Sequence, residues 1–255
     1  MSSISHLAII LAGGKGSRMK SRTQNKTSLM FNGKPILQYG LELLTQTTDA
    51  TIVVKGAFSS SVDAVINNFS SPTPIYTAIQ RKRLGTGHAV LVADRLIQAQ
   101  KLTPHSVLVG YGDHLMFCQP SSIKHITKLG DQQQAAIVVA CARVDNPFGL
   151  GRIIINDAGH VLKIVEQKDA NQEEQAINLV NTGPYYFNYQ FLHQFLPKIT
   201  KNPLSREYYI TDLVALAVEH GLKVLNYELP FDQVGIGINT HEELQASQKL
   251  YQQLH

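Results

Sequence analysis

Short aliphatic, β-branched runs alternate with longer segments of helical period through the first half of this chain, and that alternation constrains the fold more than any other feature. Leu7 to Ala12, Ala50 to Val54, Ile75 to Ile79, Ser106 to Val109 and Ala135 to Ala140 have the length and composition of buried strands. Pro35 to Leu44, Ser60 to Phe69, Gly87 to Gln98 and Ser121 to Leu129 place apolar residues at helical spacing between them. Pro35 is expected in the first helical turn, where a fixed φ and a missing N–H do no harm. Strand and helix in this order predict βαβ units and an α/β fold: a Rossmann-like mixed, mostly parallel sheet flanked by helices.

The second half changes character. Arg152 to Ile155 and Val161 to Glu166 read as a hairpin across the turn residues Asn156-Asp-Ala-Gly159, and Tyr185 to Phe187 as a further short strand. Helices are predicted at Ile210 to His220, stopped by Gly221, and at His241 to Leu254, where Thr240 and Glu243 have capping-box spacing. No internal repeat or linker interrupts the chain. The expectation is one domain, with a first half at about 1–145 and a smaller, mixed second lobe at about 146–255.

Composition excludes several classes. Hydrophobic residues make up 44% and charged residues 16% of 255, which suits neither a disordered chain nor a coiled coil. No apolar run approaches the roughly 18 residues that span a bilayer, and the N-terminus lacks the pattern of a secretory signal. Cys118 and Cys141 form neither a disulfide framework nor a CxxC pair. A soluble, cytoplasmic protein without membrane contact is expected. The net charge of +4 suits an anionic small molecule. Basic residues are nowhere interleaved with aromatics, so no nucleic-acid partner is expected. The densest basic cluster, Arg81-Lys82-Arg83, reads equally as a solvated loop or a phosphate contact.

Chemistry enters with Leu11-Ala-Gly-Gly-Lys-Gly-Ser-Arg-Met19, directly after the first strand. Ligands of open parallel sheets bind beyond the carboxyl ends of strands, where this loop lies. Gly13, Gly14 and Gly16 let backbone N–H groups approach phosphate oxygens, while Lys15, Arg18 and the following Lys26 supply positive charge. Met19 stands where a dinucleotide fingerprint needs its third glycine, and Gly33-Lys34 runs into Pro35 rather than the Ser or Thr of a P-loop.

The segments that follow are more specific together than any one alone. Gln80, Leu84-Gly-Thr-Gly-His-Ala89, Tyr111-Gly-Asp113, Gly149-Leu-Gly-Arg-Ile153, Val165-Glu-Gln-Lys-Asp169, Asn181-Thr-Gly183, Glu207-Tyr-Tyr-Ile-Thr-Asp212 and Gly237-Ile-Asn239 occur in that order. From about Leu7 to Leu254 the chain resembles the sugar-1-phosphate nucleotidylyltransferases, and most of all the uridylyltransferase domain of the bacterial bifunctional N-acetylglucosamine-1-phosphate uridylyltransferases. The resemblance implies the nucleotide-diphospho-sugar transferase fold. It also implies transfer of a nucleotidyl group from a nucleoside triphosphate to a sugar-1-phosphate with loss of pyrophosphate, the leading pair being UTP and N-acetylglucosamine-1-phosphate.

Roles carry over residue by residue. The resemblance implies that Asp113 and Asn239 hold a catalytic Mg²⁺, an oxygen donor set that this cation favours. Arg18 and Lys26 would neutralise charge on the triphosphate. Leu11, Ala12, Gly13, Gly14 and Lys15 would form the nucleotide loop, joined by Tyr111 and Gly112. Gln80, with backbone near Ala12, Gly13 and Gly85, would read the uracil edge, and Thr86 would open a helix toward the nucleotide. Gly149, Glu166, Asn181, Tyr209 and Thr211 match the sugar-phosphate site, with Thr211 heading a helix whose N–H groups would meet phosphate and Lys168 a second charge nearby.

Several positions depart from the family pattern. Asn25 replaces the usual Pro before Lys26, His114-Leu115 replaces Val-Pro after Asp113, Arg206 stands where Gly is common, and Arg81-Lys82-Arg83 is unusually basic. These flank both pockets, so the same chemistry with GTP, CTP or dTTP, or with another sugar-1-phosphate, stays open, as does a catalytically idle nucleotide sensor. No hexapeptide period occurs in these residues, so acetyl transfer is not expected of this chain. Nothing in the sequence speaks to oligomeric state.

Overall fold

A computed structural model describes residues 4–14, 24–56, 58–234, 238 and 240–254. The first strand, β1 (His6–Ala12), is apolar on both faces, and Leu7, Ala8, Ile9 and Ile10 are fully buried. A strand of that kind needs cover above and below, which places it mid-sheet. It pairs in parallel with β4 (Ala50–Lys55) and β6 (Ser106–Tyr111), and β4 pairs in parallel with β5 (Ile75–Ile79).

On the other side β10 (Leu179–Asn188) runs antiparallel between β6 and β7 (Ile137–Arg143), and β11 (Val224–Glu228) is parallel to β7. The order β11-β7-β10-β6-β1-β4-β5 belongs to a nine-stranded sheet, completed by the hairpin of β8 (Gly151–Ile155) and β9 (Val161–Val165) attached to β10. A strand from the second half is thus threaded between two from the first. Two short strands, β2 (Met30–Phe31) and β3 (Lys34–Pro35), form a separate ribbon.

Helices cover both faces. Leu7, Ile9, Val107 and Val109 pack with α3 (Thr86–Ala99), α6 (Tyr189–Phe195) and α7 (Asp212–Glu219). Ala8, Ile10, Val53 and Leu108 pack with α1 (Ile36–Thr45), α2 (Ser59–Asn67) and α4 (Pro120–Gln132). A single turn, α5 (Gln172–Gln175), is closed by the Asn171–Glu174 capping box. The last helix, α8 (His241–Leu254), sets Tyr251 edge-on to Phe31, Tyr39 and Phe117 at centroid distances of 5.4, 5.6 and 5.5 Å. Such aromatic contacts anchor the C-terminal segment beside the turn after β6. Among the described residues no helix is long and apolar enough to cross a membrane.

The anticipated alternation is present with small shifts of boundary, and the Thr240–Glu243 capping box forms with both hydrogen bonds at 3.1 Å. Pro35 caps α1 from outside rather than occupying its first turn. Tyr185 to Phe187 is the end of a ten-residue strand, β10, and α6 and β11 have no counterpart in the sequence reading.

Candidate active site

The parallel strands β1, β4, β5 and β6 end on the same side of the sheet, and their carboxyl ends deliver Gly13-Gly14, Gly56, Gln80 and Gly112-Asp113. That edge is where an open α/β sheet binds ligand. The backbones there are unusually close: a Cβ on Gly56 would lie 2.4 Å from the Gly13 carbonyl oxygen, and one on Gly13 would lie 2.9 Å from Gln80 Oε1. A Cβ on Gly112 would likewise lie 3.1 Å from both the Leu11 carbonyl oxygen and Thr27 Cγ2. Gly56 was not singled out by sequence reasoning, although a glycine directly after a buried strand is its signal. Gly14 is exposed. Lys15, Arg18 and Asn239 lie outside the described residues.

Asn25 accounts for one departure from the family pattern. It is fully buried, and its Nδ2 donates to the carbonyl oxygens of Ala12 (2.9 Å) and Gly14 (3.2 Å). Its Oδ1 accepts from Thr27 N and Thr27 Oγ1, both at 2.9 Å, capping the 3-10 turn Lys26–Ser28. One amide side chain therefore ties the glycine loop to the turn that carries Lys26, a positioning that proline cannot supply. An Asn followed by Thr two residues on is an Asx-turn signal, so the residue was legible in principle.

Lys26 Nζ pairs with Asp113 Oδ2, both side chains being largely buried. Burial by itself raises the Asp113 carboxyl, but the His114 ring, whose Nε2 is 3.9 Å away, and the Lys26 ammonium outweigh it and hold the carboxyl below its ordinary value. His114, the replacement for Val, thus sits where it favours an ionised Asp113. Arg81, Lys82 and Arg83 are all exposed.

Gln80 is only 6% exposed, so it is not a solvated strand end. Its Nε2 donates to Gly85 O and lies 3.0 Å from both that oxygen and His88 Nδ1. Thr86 begins α3, but its hydroxyl accepts from Ile210 N at 3.0 Å, which commits its side chain to the second half. Tyr208 N donates to Leu84 O (2.7 Å) and Gly87 N to Tyr208 O (2.9 Å), so the segment expected at the base and the segment expected at the sugar phosphate are joined by backbone hydrogen bonds. Tyr111 makes a second link. Its hydroxyl is 3.1 Å from that of Tyr185, which also accepts from Asn181 Nδ2. That hydroxyl thus links Tyr111, expected at the nucleotide, through Tyr185 to Asn181, expected at the sugar phosphate.

The residues expected at the sugar phosphate cluster around the β8–β9–β10 junction. A Cβ on Gly151 would touch Glu166 Oε2 at 3.6 Å and Asn181 Cβ at 3.7 Å, and Thr211 Oγ1 donates to Glu166 Oε1 at 3.0 Å. Burial raises the Glu166 carboxyl, which Thr211 partly offsets and Asp169 and Asp212 reinforce. Burial also raises the Tyr209 phenol. Gly149 is exposed at φ +83°, its N–H held by Gln167 Oε1 at 2.9 Å. Arg152, 1% exposed, donates to the same Oε1 at 2.9 Å and to the Leu150 and Gln175 carbonyl oxygens, fixing the loop without a carboxylate partner among these contacts. Lys168 is exposed. Arg206 adopts φ +61°, the conformation that explains why glycine is common there.

One expectation meets resistance. Thr211 does stand at the head of α7, though without a side-chain capping hydrogen bond, but Asp212 occupies the first position of that helix and opposes an anion at its N-terminus. Burial first, and Asp169 second, raise Asp212 to about 6. A carboxyl raised above its unfolded value destabilises the fold once ionised, so this cost is present above about pH 6 and disappears as pH falls toward the unfolded value. Asp212→Asn is expected to stabilise the protein by about 1–2 kcal/mol at pH 8, with the difference closing near pH 4. Thermal melts of both proteins at the two pH values check this; equal melting at pH 8 would refute it.

Burial pushes the Cys118 thiol up to about 12 and Cys141 up to about 11, so neither is a thiolate nucleophile at neutral pH. What the edge does offer is close backbone approach, a paired cation and carboxylate, an oriented amide, and a pocket of hydroxyl-binding groups.

Proteins named Bifunctional protein GlmU are similar over 96% of this chain: that of Psychrobacter cryohalolentis at 37% identity and that of Limosilactobacillus fermentum at 34%, each over 246 residues and 52% of the relative. The chain thus spans about half the length of these relatives. A structure of UDP-glucose pyrophosphorylase complexed with UDP-glucose superposes with a TM-score of 0.78 at 20% identity, covering 98% of this chain and 100% of that one. That likeness is one of fold, and it is the nucleotide-diphospho-sugar transferase fold anticipated from the motifs. Residues 7–233 match the family model described as Nucleotidyl transferase, and the chain belongs to that family.

Proposed function

We propose that this chain transfers a nucleotidyl group to a sugar-1-phosphate with Mg²⁺, its preferred pair being UTP and N-acetylglucosamine-1-phosphate. The observation that carries the reading is the largely buried Lys26–Asp113 pair at the carboxyl edge of the parallel strands, the edge that also carries Gln80 and Gly13. The 37% identity to a GlmU protein over 96% of this chain supports the choice of pair.

Asp113, kept ionised, is a fitting ligand for Mg²⁺, and Asn239 is the second residue we assign to it. Its chain neighbour Ile238 is buried with Met116 and Phe117, just past Asp113. Mg²⁺ takes the rest of its ligands from water and phosphate oxygens. When bound, Mg²⁺ supplies charge neutralisation at phosphate oxygens.

In the reaction an acceptor phosphate oxygen forms a bond to the α-phosphorus, and the bond from that phosphorus to the bridging β-phosphate oxygen breaks, releasing pyrophosphate. The acceptor is already an anion, so the protein needs neither a nucleophile nor a general base. Its work is positioning and charge stabilisation. Lys26 and Arg18 meet the negative charge of the triphosphate, Asn25 holding the Lys26 turn against the glycine loop. Glu166, Asn181 and Thr211 hydrogen-bond the sugar, a pocket type that rejects wrong hydroxyl patterns by leaving groups unpaired. Residues of about 1–145 make up the nucleotide half, and about 146–255 the sugar-phosphate half, which also carries the metal residue Asn239. Free Cys118 and Cys141 suit a reducing, cytoplasmic setting.

Pyrophosphate release across four nucleoside triphosphates and several sugar-1-phosphates tests this. Release should be greatest with UTP and N-acetylglucosamine-1-phosphate and should vanish when Mg²⁺ is chelated. Release with another pair alone would keep the chemistry and replace the substrates. Silence across the matrix with nucleotide still bound would leave only the sensor.

A further inference from the structure

His88 belongs to the Leu84–Ala89 segment, yet nothing above gives it a role. The Gly85 carbonyl oxygen can only accept a hydrogen bond, so the Gln80 atom 3.0 Å from it is the NH₂ nitrogen. The second N–H of that nitrogen faces His88 Nδ1 at 3.0 Å, which makes Nδ1 the lone-pair nitrogen and places the ring proton on Nε2. Burial, and then Arg95, lower the proton affinity of His88, consistent with a neutral ring. With both N–H groups engaged, Gln80 Oε1 is left facing Gly13, so close that a Cβ there would lie 2.9 Å away.

We infer that His88 is a positioning residue that fixes which end of the Gln80 amide faces the base, and so sets base selectivity. An inward Oε1 accepts from the N3–H of uracil or thymine. Cytosine presents a bare N3 lone pair at that position, and the two acceptors repel. A reversed amide would invert the preference by offering N–H to cytosine N3. His88 opposes the reversal because its Nδ1 lone pair would then meet Oε1, as would the Gly85 carbonyl.

The inference rests on the uridylyl reading, and two substitutions test it. His88→Phe keeps a ring but has no acceptor; His88→Asn can place Oδ1 near where Nδ1 stood. In His88→Phe the kcat/KM preference for UTP over CTP should fall about tenfold, mainly through KM for UTP, the scale of one hydrogen bond that decides orientation. His88→Asn should restore most of that preference. Thermal melting of each variant separates folding from selectivity. A folded His88→Phe with the wild-type UTP-to-CTP ratio would overturn the role, as would equal loss in His88→Asn. If the wild type itself favours another base, the uridylyl reading fails. The positioning role then fails separately if the base ranking is the same in His88→Phe as in the wild type.

Discussion

Asp113→Ala should reduce pyrophosphate release by at least about 10²–10³, the range typical of losing one preorganised electrostatic contact in a catalytic site. The expected loss exceeds what a surface ion pair would suggest, because Asp113 and Lys26 are both largely buried and charge interactions there are weakly screened. Removing the carboxylate also strands the Lys26 ammonium, which then has no protein counter-charge in this contact and should hold the triphosphate more tightly. The rate should therefore collapse while nucleotide affinity is kept or rises. Asp113→Asn, which preserves shape and removes charge, should behave the same way, separating charge from packing. Pyrophosphate assays beside nucleotide titrations read both quantities. A rate within threefold of wild type in either variant would refute the assignment of Asp113. The native carboxyl sits below its ordinary value, so the stability from this pair is complete above the unfolded carboxylate range and is lost as pH falls from there through the lowered native value.

The parallel half of the sheet was legible because its strands are continuous apolar runs, and such runs are read by burial alone. Of β10 only Tyr185 to Phe187 was, because Gly183-Pro184 interrupts the strand and both residues signal a break. The structure tolerates them at an irregularity in the β10–β7 register, between Asn181 and Tyr185, where the acceptor asparagine turns toward the Tyr185 hydroxyl. Helix α6, Tyr-Gln-Phe-Leu-His-Gln-Phe, was missed because its aromatic residues have modest helix propensity; Phe191, Leu192 and Phe195 form it by burying against the sheet. The same logic governs the site. Motif order singled out Asp113, Gln80, Glu166 and Asn181 as candidates, but their contacts with Lys26, His88, Thr211 and Tyr185 are not encoded by spacing. Departures from a family pattern were informative at Asn25, His114 and Arg206, each of which has a physical consequence in the structure.

Gly85→Ala is the substitution expected to disturb both substrate sites at once. Gly85 adopts φ +99° and ψ 178°, a region that only glycine populates without strain of about 1–3 kcal/mol. An added Cβ would lie 2.4 Å from the Tyr208 carbonyl oxygen and 2.8 Å from Tyr208 N, so backbone must move. That backbone is the seam between halves, where Leu84 accepts from Tyr208 and Tyr208 accepts from Gly87. Displacing it withdraws the Gly85 carbonyl from Gln80 on one side and shifts the Tyr209–Thr211 segment on the other. Stability should drop by about 3 kcal/mol, or roughly 6–12 °C in Tm. The KM for nucleoside triphosphate and for sugar-1-phosphate should both rise, with kcat/KM falling about 100-fold. Gly149→Ala is the control: its φ of +83° imposes backbone strain, but no atom lies within 4 Å of the new Cβ, so only about 1 kcal/mol is expected. If Gly85→Ala melts like Gly149→Ala, or raises only the nucleotide KM, the seam does not couple the two sites.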